Sequence, residues 1–233
     1  MRRSAVLSLG SFAAAALLAF GGFFFVSNAT TPTIEQRFDI IASDDSLSKA
    51  EQKGAYGFDR AHSYIGFRIK HMGLVEVPGS FTDFAGDIVF DPDDLKSSSV
   101  EFTAQMKSVN TRVEGRDNHL RSKDFFEVET YPEMKFKSAS IAKKGDGYIV
   151  TGSLTMKDVT KAVSIPVKVI GPIEDSRGTV RMGIVGSTEI NRRDFNVNYG
   201  GDLPNGTPVL ADNVSIDLQI ESVKKKEEEA PGQ

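Results

Sequence analysis

Apolar residues recur at every second position through most of the chain between residues 55 and 223, and this period constrains the fold more than any other feature. In residues 214–220, for example, the apolar side chains alternate with Ser215, Asp217 and Gln219. Successive residues of a strand point to opposite faces of the sheet, so this pattern gives each strand one apolar and one solvated face. The sequence therefore predicts an antiparallel sheet.

Turn signals separate the alternating runs and fix the number of strands. Glycine-rich turns are predicted at residues 144–147 and 176–178. About eight strands fit between the ends of the alternating region, which is the number at which a sheet closes into a barrel with room for one ligand. The chain contains 16 Phe, 21 Gly and no Trp, which suits many short strands around a phenylalanine-rich interior. The predicted fold class is all-β, an antiparallel barrel with one short helix.

The short helix is predicted where the alternation stops. Residues 115–126 lack both the two-residue period and β-branched side chains, and Pro132 follows soon after them. One or two helical turns suit this segment better than a strand. A helix inserted among strands is expected to plug or cover one mouth of the barrel.

The N-terminus predicts export. Two arginines precede an uncharged run that reaches Val26, and small residues follow at 27–29. We interpret residues 1–29 as a signal peptide, with an uncleaved anchor as the alternative because the run is long enough to span a bilayer. The expected location is the bacterial periplasm or outside the cell, or the inner membrane facing the periplasm if the anchor is retained.

The rest of the chain divides into three parts. Residues 30–54 are predicted to form a linker or a short helix, residues 55–223 the barrel domain, and residues 224–233 a disordered charged tail.

Composition argues against several classes of function. The formal net charge of −4 is small and the charges are mixed, which does not favour a nucleic-acid partner. The chain has no cysteine, which excludes thiolate metal sites, disulfides and cysteine nucleophiles. His62, His71 and His119 follow no metal-binding spacing, so no metal is predicted. Asp59, His62 and Ser63 are residue types that hydrolysis uses, but no nucleophile elbow accompanies them.

A series of motifs in a fixed order carries a family resemblance. In chain order they occupy residues 58–73, 79–91, 108–111, 116–120, 122–126, 131–132, 136, 152–160, 192–195 and 211–214. In these motifs the chain resembles the YceI-like family over essentially the whole predicted domain. One departure is visible, because family members often have a glycine after the Asp-Phe pair where this chain has Asn196. This departure leaves the conformation of that loop open.

The resemblance implies a lipocalin-like barrel whose apolar lumen holds a polyprenyl or quinone-like isoprenoid lipid, or another amphiphile. It implies binding or transport without catalysis, and no cofactor other than the bound lipid. The side chains expected to line the lumen are Phe67, Ile69, Phe84, Ile88, Phe102, Met106, Leu154, Met156, Val167, Ile184, Ile216 and Leu218. From periodicity alone, the interpretation favoured for the same residues is a packed core, and the family resemblance reverses this preference.

Charged residues near the irregular segment are expected to meet at one mouth of the barrel. The candidates for binding a phosphate or quinone head group are His71, Arg112, Arg116, His119, Arg192 and Arg193. The helix predicted from Arg116 to Lys123 would gate access. The alternative is structural, with Arg116, Asp117 and Asp194 pairing to fix the helix and the closing loop.

Two other classes of function remain open at this point. An enzyme acting on a small amphiphile would need His71, His119 and a carboxylate within hydrogen-bond reach. A stress-response interaction module would have a filled core and no cavity. The expected partners are an amphiphilic lipid and, transiently, a membrane, and the oligomeric state is left open, with a homodimer among the alternatives.

Overall fold

The computed structural model describes residues 47–226, and the helices and strands below all lie in this range. Within residues 47–226, the two α-helices are α1 (Lys49–Gln52) and α2 (Glu114–Arg121). The strands are β1 (Gly54–Phe58), β2 (Tyr64–His71), β3 (Val75–Phe81), β4 (Phe84–Phe90), β5 (Ser99–Gln105), β6 (Val109–Asn110), β7 (Glu133–Lys144), β8 (Gly147–Met156), β9 (Val159–Glu174), β10 (Val180–Asn191) and β11 (Leu210–Lys224).

These strands form a closed antiparallel barrel of eight strands, as the alternation predicts. Three of the eight are interrupted. A 3-10 helix at Arg60–His62 separates β1 from β2, residues 82–83 separate β3 from β4, and a second 3-10 helix at Met106–Ser108 separates β5 from β6. The two-residue period of the sequence does not predict these interruptions, because each is only a few residues long.

Strand β11 closes the barrel because both of its edges are paired. One edge pairs with β10 from Asn213 to Val223. The other edge pairs first with β2 and then with β1, up to the pair formed by Lys224 and Tyr56. A sheet closed in this way leaves no free edge along its last strand.

The apolar faces of the strands point into the barrel. Phe102 of β5 lies opposite Phe136 of β7, which lies opposite Leu154 of β8, so one layer of the interior crosses three neighbouring strands. Each fully buried apolar side chain contributes about 1.5–3 kcal/mol. Most of the core belongs to one cluster, and a second around Tyr56 and Met182 lies at the end of the barrel next to α1.

Helix α2 confirms the prediction of one short helix inserted among the strands. Its buried Asp117 accepts hydrogen bonds from the backbone nitrogen and the hydroxyl of Thr111, at 2.8 and 2.5 Å. Its last residue, Arg121, donates to the carbonyl oxygens of Lys107 and Val109. These contacts fasten the middle and the C-terminal end of the helix to the chain around β6.

The barrel extends slightly beyond the predicted boundaries at residues 55 and 223. Strand β1 begins at Gly54, and the backbone nitrogen of Lys225 still donates to the carbonyl oxygen of Ala55 at 2.7 Å. The predicted signal peptide and most of the predicted linker and tail lie outside the described residues. Within residues 47–226, no helix is long and apolar enough to cross a membrane.

Asn196 occupies the position where the family pattern favours glycine. It ends a 3-10 helix at Arg192–Phe195 and has φ 59° and ψ 25°, in the left-handed region. Asparagine enters this region more readily than most residues other than glycine. The loop conformation that the sequence leaves open is therefore left-handed at this residue.

Candidate functional site

The interior of the barrel contains a cavity of about 400 Å³, here named cavity 1. It lies at the end of the barrel where β2 ends, β11 begins and α2 packs, and this end is called the mouth. Among its apolar lining residues are Ile65, Phe67, Ile69, Val77, Phe81, Phe102, Leu120, Phe125, Phe126, Met134, Phe136, Leu154, Met156, Val163, Ile165, Ile190, Val197, Val209, Leu210, Val214, Ile216 and Leu218. The volume is within the range of about 300–1,000 Å³ typical of small-molecule sites.

A second, smaller cavity of about 90 Å³, named cavity 2, lies further from the mouth along the barrel. Its lining includes Ile88 and Phe90 of β4 and Met182 of β10. Together the two cavities show that the interior is not completely filled, as a purely structural core would be.

Most of the side chains expected in the lumen line one cavity or the other. Cavity 1 is lined by Phe67, Ile69, Phe102, Leu154, Met156, Ile216 and Leu218, and cavity 2 by Ile88, Phe102, Val167, Ile184 and Leu218. Phe84 and Met106 are the exceptions. Both are buried in the packed core, with 6% and 1% of their surface exposed, and neither lines a cavity. They lie beside the breaks in β3–β4 and β5–β6, where the strands leave the regular barrel.

The predicted head-group residues separate into two groups. His71, Arg116, His119 and Arg192 all line the mouth end of cavity 1. Arg112 and Arg193 do not line it. Arg112 is exposed in the left-handed region, with φ 65°, and Arg193 is directed to Asp212 at 2.5 Å.

Arg192 is a structural residue rather than a free anion-binding group. It is 3% exposed, and its Nε donates to the carbonyl oxygen of Ala211. Its two terminal nitrogens contact the carbonyl oxygens of Val197, Tyr199 and Leu210 and one carboxylate oxygen of Asp212. These five contacts match the five N–H donors of a guanidinium, so none is left for a ligand. Burial lowers the pKa of Arg192 from its usual value.

Arg116 keeps donors that its protein partners do not use. Its Nε donates to the hydroxyl of Thr111 at 2.7 Å, and its Nη2 donates to the carbonyl oxygen of the same residue at 2.9 Å. Within residues 47–226, its Nη1 has no hydrogen-bond partner. Arg116 does not pair with Asp117, because both side chains form hydrogen bonds with Thr111 instead.

The two histidines at the mouth differ in their surroundings. The Nε2 of His119 lies 3.0 Å from a carboxylate oxygen of Asp124, and its ring meets the rings of Phe125 and Tyr199 edge-on. The ring of His71 has no hydrogen-bond partner in the described part of the chain. The trio that an enzyme would need is therefore not assembled there, since His71 joins neither His119 nor Asp124.

Sequence reasoning missed the aromatic part of the mouth. Phe125, Phe126 and Tyr199 all line cavity 1, and Tyr199 is 43% exposed where the cavity approaches the surface. The paired phenylalanines that follow the predicted helix could have indicated this part of the site. Two adjacent apolar residues after a polar helix are expected to pack against another part of the protein. No comparable pattern marks Tyr199, which lies in an irregular loop.

A charge cluster lies at the other end of β2, away from the mouth. Arg181 contacts a carboxylate oxygen of Asp59 at 3.0 Å, of Asp175 at 3.1 Å and of Glu221 at 2.5 Å. His62 Nδ1 lies 2.9 Å from Asp59, which lowers the pKa of that carboxyl and raises the pKa of His62. Asp59, His62 and Glu221 lie close enough to share a metal ion. Arg181 already supplies the positive charge, so the cluster is an ion-pair network.

Ser63 takes no part in a catalytic arrangement with Asp59 and His62. Its hydroxyl donates to the carbonyl oxygen of Glu221 and accepts from the backbone nitrogen of the same residue. These two bonds make it a bridge between the start of β2 and β11.

Two bacterial proteins are similar to this chain in amino-acid sequence. A UPF0312 protein of Photorhabdus laumondii is 42% identical over 165 residues, covering 71% of this chain and 83% of the relative. A UPF0312 protein of Pectobacterium atrosepticum is 38% identical over 189 residues, covering 80% of this chain and 93% of the relative.

Solved structures share the fold as well. Burkholderia cenocepacia BcnA is similar with a TM-score of 0.63 and 28% identity, covering 70% of this chain and 98% of that one. A polyisoprenoid binding domain from Saccharophagus degradans is similar in fold alone, with a TM-score of 0.55 and 17% identity, covering 74% of this chain and 100% of that domain. The sequence model of the YceI-like domain matches residues 56–222. The barrel, its inserted helix and this match together show that the chain belongs to the YceI-like family.

Proposed function

We propose that this protein is an exported, non-catalytic binding protein that holds the tail of an amphiphilic isoprenoid lipid in cavity 1. The observation that carries the proposal is the cavity itself, about 400 Å³ with mainly apolar walls and with charged side chains at the mouth. The description of the Saccharophagus degradans domain as polyisoprenoid binding supports the same class of ligand.

Hydrophobic transfer is the source of affinity in this proposal. Each Å² of apolar tail surface removed from water contributes about 25 cal/mol, so a tail of several isoprene units needs no strong polar contact to bind. Branched, flexible tails also suit walls that combine phenylalanine with adaptable methionines such as Met134 and Met156.

The head group is proposed to stay at the mouth, next to Arg116 and His71. Both line the cavity and both retain nitrogen atoms without a protein partner among residues 47–226. A guanidinium and an imidazole suit the oxygens of a phosphate or a quinone. Arg192 stabilises this site indirectly, because its guanidinium donates to the carbonyl oxygen of Tyr199 and so fixes the loop that contains it.

Helix α2 is proposed to act as a fixed roof that positions Arg116 and His119, in place of the moving gate expected from sequence. The bonds of Asp117 to Thr111 and of Arg121 to Lys107 and Val109 oppose its displacement. Export, periplasmic location and transient contact with a membrane stay predictions.

The proposal is tested by placing a charge inside the lumen. In Leu154→Glu a carboxylate replaces a buried wall of cavity 1, whereas Val89→Glu places the same charge on the outer face, where Val89 is 44% exposed. Binding is measured by displacement of the fluorescent probe N-phenylnaphthylamine with solanesol. We expect Leu154→Glu to lose binding and Val89→Glu to keep it.

Circular dichroism shows whether each variant is folded. If Leu154→Glu does not fold, Ile216→Trp fills the same cavity without a charge and is expected to weaken binding. Unchanged displacement by solanesol in a folded lumen variant would contradict the proposal.

A further inference from the structure

Cavities 1 and 2 share one layer of lining side chains. Five residues line both cavities, one each from β2, β5, β7, β9 and β11, and we name this layer the partition. Its members are Ile65, Phe102, Phe136, Ile165 and Leu218. Cavity 1 lies on the mouth side of the partition and cavity 2 on the other side.

Two members of the partition are stacked aromatic rings. Phe102 and Phe136 face each other across β5 and β7, with ring centroids 5.7 Å apart and an angle of 19° between the planes. The ring of Phe136 lies over Gly152, where a Cβ atom would collide with it. Because glycine leaves the space that the ring occupies, Phe136 is held in place and only 4% exposed.

Cavity 2 is too small to be a separate site for the same ligand. At about 90 Å³ it falls well below the range of small-molecule sites, and none of its exposed surface is polar. Because its lining is apolar, it offers favourable space to an apolar chain end that reaches it.

We propose that the partition sets the length of the lipid tail that this protein accepts, with Phe102 as the specificity-determining residue. This inference rests on the proposed binding of an isoprenoid tail in cavity 1. A tail that fills cavity 1 ends against the stacked rings, and a longer tail must either leave its excess in water or displace Phe102. Phe102 is the more movable member, because it is only partly buried whereas Phe136 is fixed against Gly152.

The test compares prenyl alcohols of increasing length against variants on either side of the partition. Farnesol, geranylgeraniol and solanesol compete with N-phenylnaphthylamine for the wild-type protein, Phe102→Ala and Val169→Ala. Val169 lines cavity 2 and not cavity 1, so its truncation enlarges cavity 2 while the partition stays closed.

We expect Phe102→Ala to join the cavities and to raise the affinity for solanesol relative to farnesol by at least about tenfold, since each further buried CH₂ group adds to the transfer free energy. Val169→Ala alone is expected to leave this ratio unchanged. The double variant is expected to raise it beyond Phe102→Ala.

The outcomes separate this inference from the proposed function. If no prenyl alcohol displaces the probe from the wild-type protein, the proposed function fails. If the alcohols bind but the ratio is the same in Phe102→Ala, the partition is not the determinant of length. An increased ratio in Val169→Ala alone would overturn the inference too, because the tail would already pass the partition. Should Phe102→Ala not fold, Ile165→Ala opens the same layer from β9 and is held to the same expectations.

Discussion

Single residues determine the shape of the mouth, and Arg192 is the most important of them. Its side chain is buried and all of its N–H groups donate hydrogen bonds within the protein, chiefly to backbone carbonyls of residues 197–211. A buried carbonyl that loses its donor costs about 1–3 kcal/mol. Sequence reasoning placed Arg192 near the mouth but assigned it to a ligand, because a motif does not tell which acceptors surround a guanidinium.

Replacing Arg192 tests this structural role. We expect Arg192→Met to lower the free energy of unfolding by at least about 1–3 kcal/mol, since several carbonyls lose their donor together. The matched control is Arg193→Met, which removes a partly exposed ion pair with Asp212 and is expected to cost at most about 1 kcal/mol. Urea denaturation measures the free energy of unfolding of both variants. Equal decreases would contradict the structural role of Arg192.

Asn196 gives a second prediction at this scale. Its left-handed backbone conformation suits glycine at least as well, so Asn196→Gly should change the free energy of unfolding little. Asn196→Val should lower it by about 1–2 kcal/mol, because a β-branched side chain is strained there. Thermal unfolding of the two variants gives the comparison, and a stable valine variant would indicate that the loop adopts another conformation.

At the scale of elements, glycines inside strands give the aromatic rings of the lumen room to lie flat. Gly79 lies beneath the ring of Phe67 and Gly152 beneath that of Phe136, so neither position has space for a methyl group. The period of the sequence correctly predicts that Phe67 faces the lumen. It does not predict the ring positions, because these depend on a glycine in the neighbouring strand.

Two glycine-to-alanine substitutions distinguish the effect of side-chain packing in the barrel from the effect of helix propensity. We expect Gly152→Ala to lower the free energy of unfolding by about 1–3 kcal/mol, since the new methyl group overlaps the ring of Phe136 and the carbonyl oxygen of Lys137. Gly115→Ala, on the open side of α2, should raise it by about 0.5–1 kcal/mol. Urea denaturation measures both, and a stabilised Gly152→Ala would mean that the ring is not held there.

The turn between β9 and β10 gives a prediction about pH. The backbone nitrogens of Thr179 and Arg177 and the guanidinium of Arg181 all donate to Asp175 and lower its pKa from 3.8 to about 2. Because the folded-state pKa is the lower one, the stabilisation is present above pH 3.8 and is lost as the pH falls towards 2.

Asp175→Asn removes this dependence. The variant is expected to be less stable than the wild type above pH 3.8 and to lose less stability between that pH and 2. Urea denaturation across this range gives the two curves. Parallel curves for the variant and the wild type would show that Asp175 does not make the turn sensitive to acid.

At the scale of the whole molecule, the barrel has two unlike ends. The mouth is covered by α2 and contains the Arg116 Nη1 atom, which has no partner among residues 47–226, whereas the other end is tied by the ion pairs of Arg181. The eight strands and the inserted helix could be predicted from sequence, because period and turn residues determine them directly. The division of the interior into two cavities could not, since alternation tells which face a residue occupies and not how much space remains between opposite walls.

Mass spectrometry of an organic extract of the purified full-length protein shows whether cavity 1 holds an isoprenoid tail. We expect an isoprenoid lipid in the extract of the wild-type protein, and much less of it in the extract of folded Leu154→Glu. A wild-type extract free of such lipid, from protein that also fails to bind solanesol, would contradict the claim.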